Sequence, residues 1–385
     1  MNNRKKHIFL FHFVTGFFWF SLYAYVPTLA TYVESLGASY KMVGIVLGSY
    51  GFTQMLLRIP LGILSDTLNK RKVFIILGAV LALVSSLGLW LFPNVGLVLL
   101  FRALSGVATV AWVTFTVLYS SYYEDDHAPK AIGILNSFNF MGQMAAIFLG
   151  GLAAQYFNQQ APFLVASVGG ILALILSFGI YENKIDRKPL KLSDIVSVAT
   201  DKNFMLISLC SILSQFITFG TMYGFTPVIA KQLGATDFQL SLLTNISTIP
   251  VIFASAMSGT LFIKYLGEKY TVMLGFLAAA LASIATPYMP SIAWLYVIQF
   301  IGGFGRGLTF TLLMGISIKN IENSRRATAM GFFQAAYGIG MFLGPVVVGF
   351  FSDTLGISSG FWFSGFLAMV GTVITYFGIQ SGTAG

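Results

Sequence analysis

Lys70-Arg71-Lys72-Val73-Phe-Ile-Ile-Leu-Gly-Ala-Val-Leu-Ala-Leu-Val-Ser-Ser-Leu-Gly-Leu-Trp-Leu-Phe92 is three basic residues followed by twenty with no charge, amide side chain or histidine. Twenty residues at about 1.5 Å each cover about 30 Å, the thickness of a bilayer's hydrocarbon core. The run is continuous and lacks a period-two alternation, so it reads as a spanning helix rather than a barrel strand. Working outward, eleven further runs of this kind appear. The twelve expected spans are 8–33, 42–64, 73–92, 97–122, 130–157, 162–181, 203–230, 239–262, 270–289, 292–318, 327–351 and 358–380. The fold class is therefore an all-α membrane protein with twelve transmembrane helices.

Bulk composition agrees. Of the 385 residues, 56% are hydrophobic and only 9% charged, and the mean hydropathy is +0.81. A soluble domain carries about 25% charged residues, and a disordered chain needs low hydrophobicity, so both classes are excluded. The basic start Arg4-Lys5-Lys6 before an apolar run imitates a signal peptide. That run continues with no small-residue cleavage site, so a retained first helix is expected. The single cysteine, Cys210, excludes an intrachain disulfide and reads as a small buried hydrophobe. His7, His12 and His127 have no partner at metal-ligand spacing, and no P-loop occurs. Gly303-Phe-Gly305 and Gly338-Ile-Gly340 follow no strand, which rules out a dinucleotide fingerprint. No cofactor is expected.

The net charge of +9 is explained by placement. With the N-terminus in the cytoplasm, 17 of the 22 basic residues fall in cytoplasmic segments and only Lys41 and Lys231 in external loops. That asymmetry predicts both termini inside. It marks the charges as topology signals facing anionic lipid, not a nucleic-acid footprint. A multi-pass protein of the bacterial cytoplasmic (inner) membrane is expected, acting as a monomer.

The longest polar stretch, 182–202, holds Glu182, Lys184, Asp186, Arg187, Lys188, Lys191 and Asp194. It reads as a cytoplasmic linker with a short surface helix over 191–200, dividing six-helix bundles 1–181 and 203–385. The two halves repeat. Tyr23-Ala-Tyr-Val-Pro27 matches Tyr223-Gly-Phe-Thr-Pro227 at an offset of 200, and Leu36-Gly37-Ala38 matches Leu233-Gly234-Ala235 at 197. Gly62 and Leu64 match Gly259 and Leu261 at 197, and Glu124, Gly133, Gly142 and Gly151 match Glu322, Gly331, Gly340 and Gly349 at 198. Six helices return the chain to its starting side, so this is a parallel repeat about an axis along the membrane normal.

After the second span comes Gly62-Ile-Leu-Ser-Asp66-Thr-Leu-Asn-Lys70-Arg71-Lys72. It resembles the signature loop of the major facilitator superfamily, G-x-L-x-D-R-x-G-R-R/K, with Thr67 in place of the Arg and Asn69 in place of the second Gly. The resemblance covers the whole chain and is greatest to twelve-helix drug and metabolite exporters. It implies two pseudo-symmetric bundles. It also implies gating roles for Gly62 as a close-approach point, for Asp66 on a neighbouring helix N-terminus, and for the cations Lys70 and Arg71. Arg102-Ala-Leu-Ser-Gly106 resembles the family's R-x-x-x-G motif, tied to proton or substrate handling. Gly340-Met-Phe-Leu-Gly344-Pro345 resembles a small-residue gating face. The antiporter motif G-P-x-x-G-G is half present: Gly150 and Gly151 remain, with Ala146 and Ile147 before them.

Polar residues within spans are functional candidates by default. Helices three, six, nine and twelve contain no amide, histidine or charge in their middles, whereas the other eight do. In the superfamily those four face lipid. Arg306 and Gln215 fall near mid-depth. Asn136, Asn139 and Gln143 share one helix face, and Gln334 and Tyr337 are repeat-mates of the first two. These residues, with Arg102 and Tyr23, form the candidate substrate-binding set. The amides read equally well as helix-to-helix hydrogen bonds, and Arg306 as a structural clamp. Arg58, in the inner third of helix two, belongs to the gate. Trp19, Tyr25 and Tyr223 either extend an aromatic wall or pack against lipid.

None of the 13 acidic residues lies deep in a span. Buried arginines without buried carboxylates fit an anionic or zwitterionic substrate. A coupling proton or other ion has only Glu34 and His12 as candidate carriers. The expected function is secondary active transport of a small organic solute by alternating access, with efflux first. Uptake or exchange of a sugar or organic anion is the alternative within the class. A lipid flippase or a non-transporting membrane receptor is the alternative outside it. No nucleophile or acid/base pair at mid-depth supports an enzyme.

Overall fold

The computed structural model describes residues 2–68, 70–123, 128–182, 200–319, 321 and 326–379. The expected linker helix at 191–200 and the Glu124/Glu322 match lie outside the described residues, apart from Thr200, which is in a turn. Twelve apolar helices form among the described residues. They are α1 (Lys5–Ser35), α2 (Tyr40–Leu68), α3 (Arg71–Leu91), α4 (Val95–Ser120), α5 (Ala128–Tyr156) and α6 (Ala161–Ser177). They continue as α7 (Lys202–Gln232), α8 (Asp237–Met257), α9 (Ile263–Tyr288), α10 (Ile292–Lys319), α11 (Arg326–Leu355) and α12 (Ile357–Gly378).

Eleven are long and apolar enough to cross a membrane. The sixth has 17 residues because the chain turns at Phe178-Gly179, closed by the Gly179 amide on the Leu176 carbonyl at 3.1 Å. Large apolar side chains remain exposed around the bundle, such as Phe377 at 82% and Phe157 at 80%. Lipid is the solvent that suits such a surface. Near the start of α9, Gly267 takes φ 73°, a left-handed turn within the expected loop between spans eight and nine.

The Tyr-x-x-x-Pro repeat has a local structural consequence. In α1 the helix breaks at Ala24-Tyr25 and restarts with Pro27 in its first turn. In α7 it widens into a π-helical stretch, Thr218–Phe225, and restarts with Pro227 in the same place. A proline is tolerated in a first turn because the missing N–H has no partner there anyway. Both halves thus carry an interrupted helix at corresponding depth, where freed backbone must line a cavity or pack in protein.

Glycines placed at matching positions also make matching contacts. A Cβ on Gly142 would strike the Gly16 backbone (α5 on α1), and one on Gly340 the Ile212 backbone (α11 on α7). A Cβ on Gly151 would strike Ser241 of α8, and one on Gly349 would lie 3.1 Å from Gly44 Cα of α2. These last two contacts join the first six helices to the last six. We call the end carrying the start of α1 and the finish of α12 the terminal face, and the opposite end the far face. Gly44, Gly48 and Gly51 of α2 lie hard against α11 toward the far face. Toward the terminal face, Gly62, Gly133, Gly259, Gly315 and Gly331 have no neighbour within 4 Å of an added Cβ among the described residues. Among the described residues, the backbones of α2 and α11 approach most closely toward the far face, which is closed there. The close backbone approaches seen on α2 are those of Gly44, Gly48 and Gly51 to α11.

Candidate functional site

The interrupted stretches of α1 and α7 place Tyr23 against Tyr223, ring centroids 6.3 Å apart and nearly perpendicular. An arginine stands on each side of the pair. From α4, Arg102 lies 4.2 Å above the centroid of Tyr50 and 5.8 Å from that of Tyr25. From α10, Arg306 lies 5.4 Å above the Tyr223 ring, with Nη1 2.8 Å from Met222 Sδ. Tyr23 is within electrostatic reach of both arginines as well as Tyr50 and Tyr223. Cation–π contact is the electrostatic compensation an arginine finds when no carboxylate is at hand.

Arg102 is 4% exposed. Its Nη1 donates to Ser105 Oγ at 3.4 Å, while its Nε has no hydrogen-bond partner. Among the described residues, the ion pairs are Lys231–Asp237 and Lys319–Glu268, both away from this centre. A desolvated guanidinium carrying an unused donor is a strong anchor for an anion.

Two small cavities adjoin the arginines. One, about 10 Å³, is lined by Tyr23 and Leu29 of α1, Tyr50 of α2, Arg102 of α4, Phe219 and Tyr223 of α7 and Pro345 of α11, so it lies between the halves. It has room for about one water. The other, about 40 Å³, is enclosed within the last six helices by α7, α9 and α10, including Thr218, Thr221, Gln299 and Arg306.

The second cavity corrects one expectation. Helix α9 does not simply face lipid: Leu274, Leu277 and Leu281 are exposed, but Phe276, Ala279 and Ser283 line the Arg306 cavity. A helix without amides or charges in its middle still builds an internal wall from small and hydroxyl residues.

The other candidates are placed as follows. Arg58, 4% exposed, donates to the Tyr337 hydroxyl at 2.9 Å, the Gln334 carbonyl at 3.4 Å and Gln54 Oε1 at 3.0 Å. The structure therefore puts Gln334 and Tyr337 on the α2–α11 seam with Arg58, away from the two arginine cavities. Gln143 donates to Asn139 one turn away, and Asn136 is half-buried. None of these three amides lines either cavity. Gln215 is buried beside the second cavity's Ser214 but does not line it. Pro345 lies against Gly44, and Gly344 against Phe216 and Gly220. Lys70 is exposed and Arg71 buried, and the side chain of Asp66 lies outside the described residues. Glu34 sits at the far end of α1, within reach of Tyr40. His12 Nε2 is 2.5 Å from the Tyr119 hydroxyl, and its ring stacks on Phe138 at 4.1 Å.

Sequence reasoning missed Tyr50 and Met222, the immediate partners of the two arginines. In a chain that is 15% aromatic, one tyrosine carries no signal of its own.

A polytopic helical bundle with interrupted helices and arginines at its centre has the construction of a secondary transporter. Comparison with known proteins gives the family. The Major Facilitator Superfamily model matches residues 8–207 and again 204–384, and the chain belongs to that superfamily, whose members are transporters and not enzymes. A transporter of this superfamily from Methanocaldococcus jannaschii is 26% identical, with 99% of this chain and 100% of that one covered. A multi-drug resistance efflux pump homologue from Lactococcus lactis is 23% identical over 90% of this chain and 88% of its own. Among solved structures, a bacterial homologue of the human lysosomal transporter Spinster, inward-facing and unoccupied, superposes with a TM-score of 0.81 at 14% identity, covering 97% and 96% of the two chains.

Proposed function

We propose that this protein exports a small organic solute carrying a negative or zwitterionic group, by alternating access between two six-helix halves, 1–181 and 203–385. The observation that carries the reading is Arg102, buried at the interface of the halves with no carboxylate partner among the described residues and an unused Nε donor. The Tyr23–Tyr223 pair, contributed by the interrupted helix of each half, supplies an aromatic floor for the apolar part of the solute. In the far-closed state the pocket beside Arg102 has room for about one water. Admission of solute therefore requires the rings and Pro345 to draw apart, and closure around it desolvates the charge against Arg102. The asymmetry of the basic residues supports both termini lying in the cytoplasm of a bacterial cell, and on this reading solute enters from inside by the terminal face. The likeness to the Lactococcus lactis pump supports efflux. The protein acts as a monomer, with a proton or other ion as the driving partner and membrane lipid around it.

A thermal-shift screen of organic anions, cations and neutral solutes on purified protein, repeated across pH, tests this, because a ligand that binds only the folded state raises Tm. Anions and zwitterions are expected to stabilise. Arg102→Ala should weaken the best of them by about tenfold or more, equivalent to about 1.4 kcal/mol. Arg102→Lys should recover part of the loss, since it keeps a charge but not the fork. Equal response to cations, or anion binding untouched by both Arg102→Ala and Arg306→Ala, overturns the reading.

A further inference from the structure

Helix α2 begins at the far face with Ser39 and Tyr40, and its first turn contains no acidic residue. The amide of Tyr40 donates to Asp353 Oδ1 at 3.1 Å. Asp353 belongs to the last turn of α11, in the other half of the chain. A carboxylate in the last turn of a helix is repelled by that helix's own carbonyls. Over the N-terminus of a different helix the same charge is stabilised by dipole and N–H together. The placement is thus unfavourable within α11 and favourable only while α2 is docked against it.

The surroundings make the docking specific. One turn before Asp353, Gly349 brings the backbones together, and a Cβ there would lie 2.5 Å from the Tyr40 carbonyl oxygen. Gln232 of α7 donates to the Tyr40 hydroxyl at 3.4 Å. The corresponding place in the first half, at the offset of 198 that relates Gly151 to Gly349, is the neutral Gln155. Opposite it, α8 caps itself with the Thr236/Gln239 box and its own Asp237. The cross-half charge–dipole contact is found on one seam and not on its repeat.

We infer that Asp353 is the positioning residue that latches the far face shut: its carboxylate on the N-terminus of α2 holds the far-closed state and must be released in every transport cycle. The inference concerns the conformational equilibrium and needs no knowledge of the solute, so it stands or falls apart from the export reading.

The test uses the full chain in nanodiscs with Cys210→Ala. Spin labels are placed at Phe157 and Tyr288, two exposed positions at the far ends of α5 and α9 in opposite halves. Asp353→Asn should raise the long-distance, far-open population about two- to fivefold relative to the parent, and Asp353→Glu should restore the short distance. Raising ionic strength from about 0.05 to 1 M should shift the parent in the same direction, because a charge at an exposed helix end is screened. Asp353→Asn should lose that salt response, which a role confined to packing or hydrogen bonding would not alter. Unchanged distances in both Asp353→Asn and Asp353→Ala overturn the latch. So does a salt response equal in the parent and Asp353→Asn.

Discussion

The two seams that join the halves are related by the internal repeat, yet they are built differently. Along α2–α11, directional polar bonds stand at both ends: Tyr40 N–H on Asp353, and Arg58 on Tyr337 and the Gln334 carbonyl. Between them, Gly44, Gly48 and Gly51 lie on the α11 backbone around Met341, Phe342 and Pro345. Along α5–α8, Gly151 lies against Ser241 and Phe148 meets Phe238 edge-on at 5.4 Å. The polar bond from Asn245 Nδ2 to the Met144 carbonyl is long, at 3.4 Å. Bonds made by a buried guanidinium and by a carboxylate on a helix N-terminus have two discrete states, made or broken, whereas an apolar seam slides at little cost. The difference assigns control of the open–closed equilibrium to α2–α11 and leaves α5–α8 as the compliant side.

The largest effect is expected at Gly44. An added Cβ would collide with the Pro345 carbonyl and lie 3.3 Å from Gly349 Cα, both backbone atoms that cannot swing away. Overpacking of this kind costs about 1–3 kcal/mol for ordinary insertions, and a leucine here exceeds that case. Gly44→Leu should keep the far face from closing, and transport into or out of proteoliposomes should fall by roughly two orders of magnitude. Gly62→Leu, on the same helix but with no described residue within 4 Å of an added Cβ, should retain the far-closed distances between Phe157 and Tyr288. Equal damage at both positions would remove the special standing of the tightly packed portion of α2.

Arg58 is next. Truncation to alanine deletes three hydrogen bonds of a buried charge and leaves Gln54, Tyr337 and the Gln334 carbonyl to find other partners. Each such bond to a charged group contributes about 1.5–3 kcal/mol before the desolvation of the guanidinium is subtracted. The net expectation is about a tenfold loss of transport in Arg58→Ala. A smaller loss is expected in Arg58→Lys, which keeps the charge without the fork that reaches Tyr337 and Gln54 together. Transport at the parental rate in Arg58→Ala would show that the seam's polar bonds do not govern the cycle.

Much of this was legible in the residues alone, for physical reasons. A hydrocarbon slab demands long uncharged helices, so α1 to α12 stand in the sequence almost as they stand in space. The three arginines within spans announce themselves because a charge in lipid is costly. Their company does not. Arg102 rests on Tyr50 and Arg306 on Tyr223 and Met222, residues whose types are common throughout the chain. Gln334 and Tyr337 looked like a counterpart to the α5 amides because the repeat aligns them. The repeat fixes their place on α11 but not which helix of the other half meets them. Asp353 read as a loop acid, since nothing local reveals that α2 of the other half starts beside it.

The smallest effect is expected on the compliant seam, and it is the sharpest test of the comparison. Asn245 is 8% exposed, its Oδ1 has no hydrogen-bond partner, and its one bond is long. Removing a well-satisfied buried amide usually costs 1 kcal/mol or more, but here truncation also relieves an unpaired buried acceptor, about 1–3 kcal/mol of desolvation. The two contributions oppose each other, so Asn245→Ala should change Tm by no more than about 2 °C and transport by no more than about twofold. Asn245→Asp keeps the shape but adds a charge with no cation beside it among the described residues, and it should be clearly destabilised. A tenfold loss in Asn245→Ala with an unchanged Tm would mean that the amide touches solute, and α5–α8 would then be a binding seam rather than a sliding one.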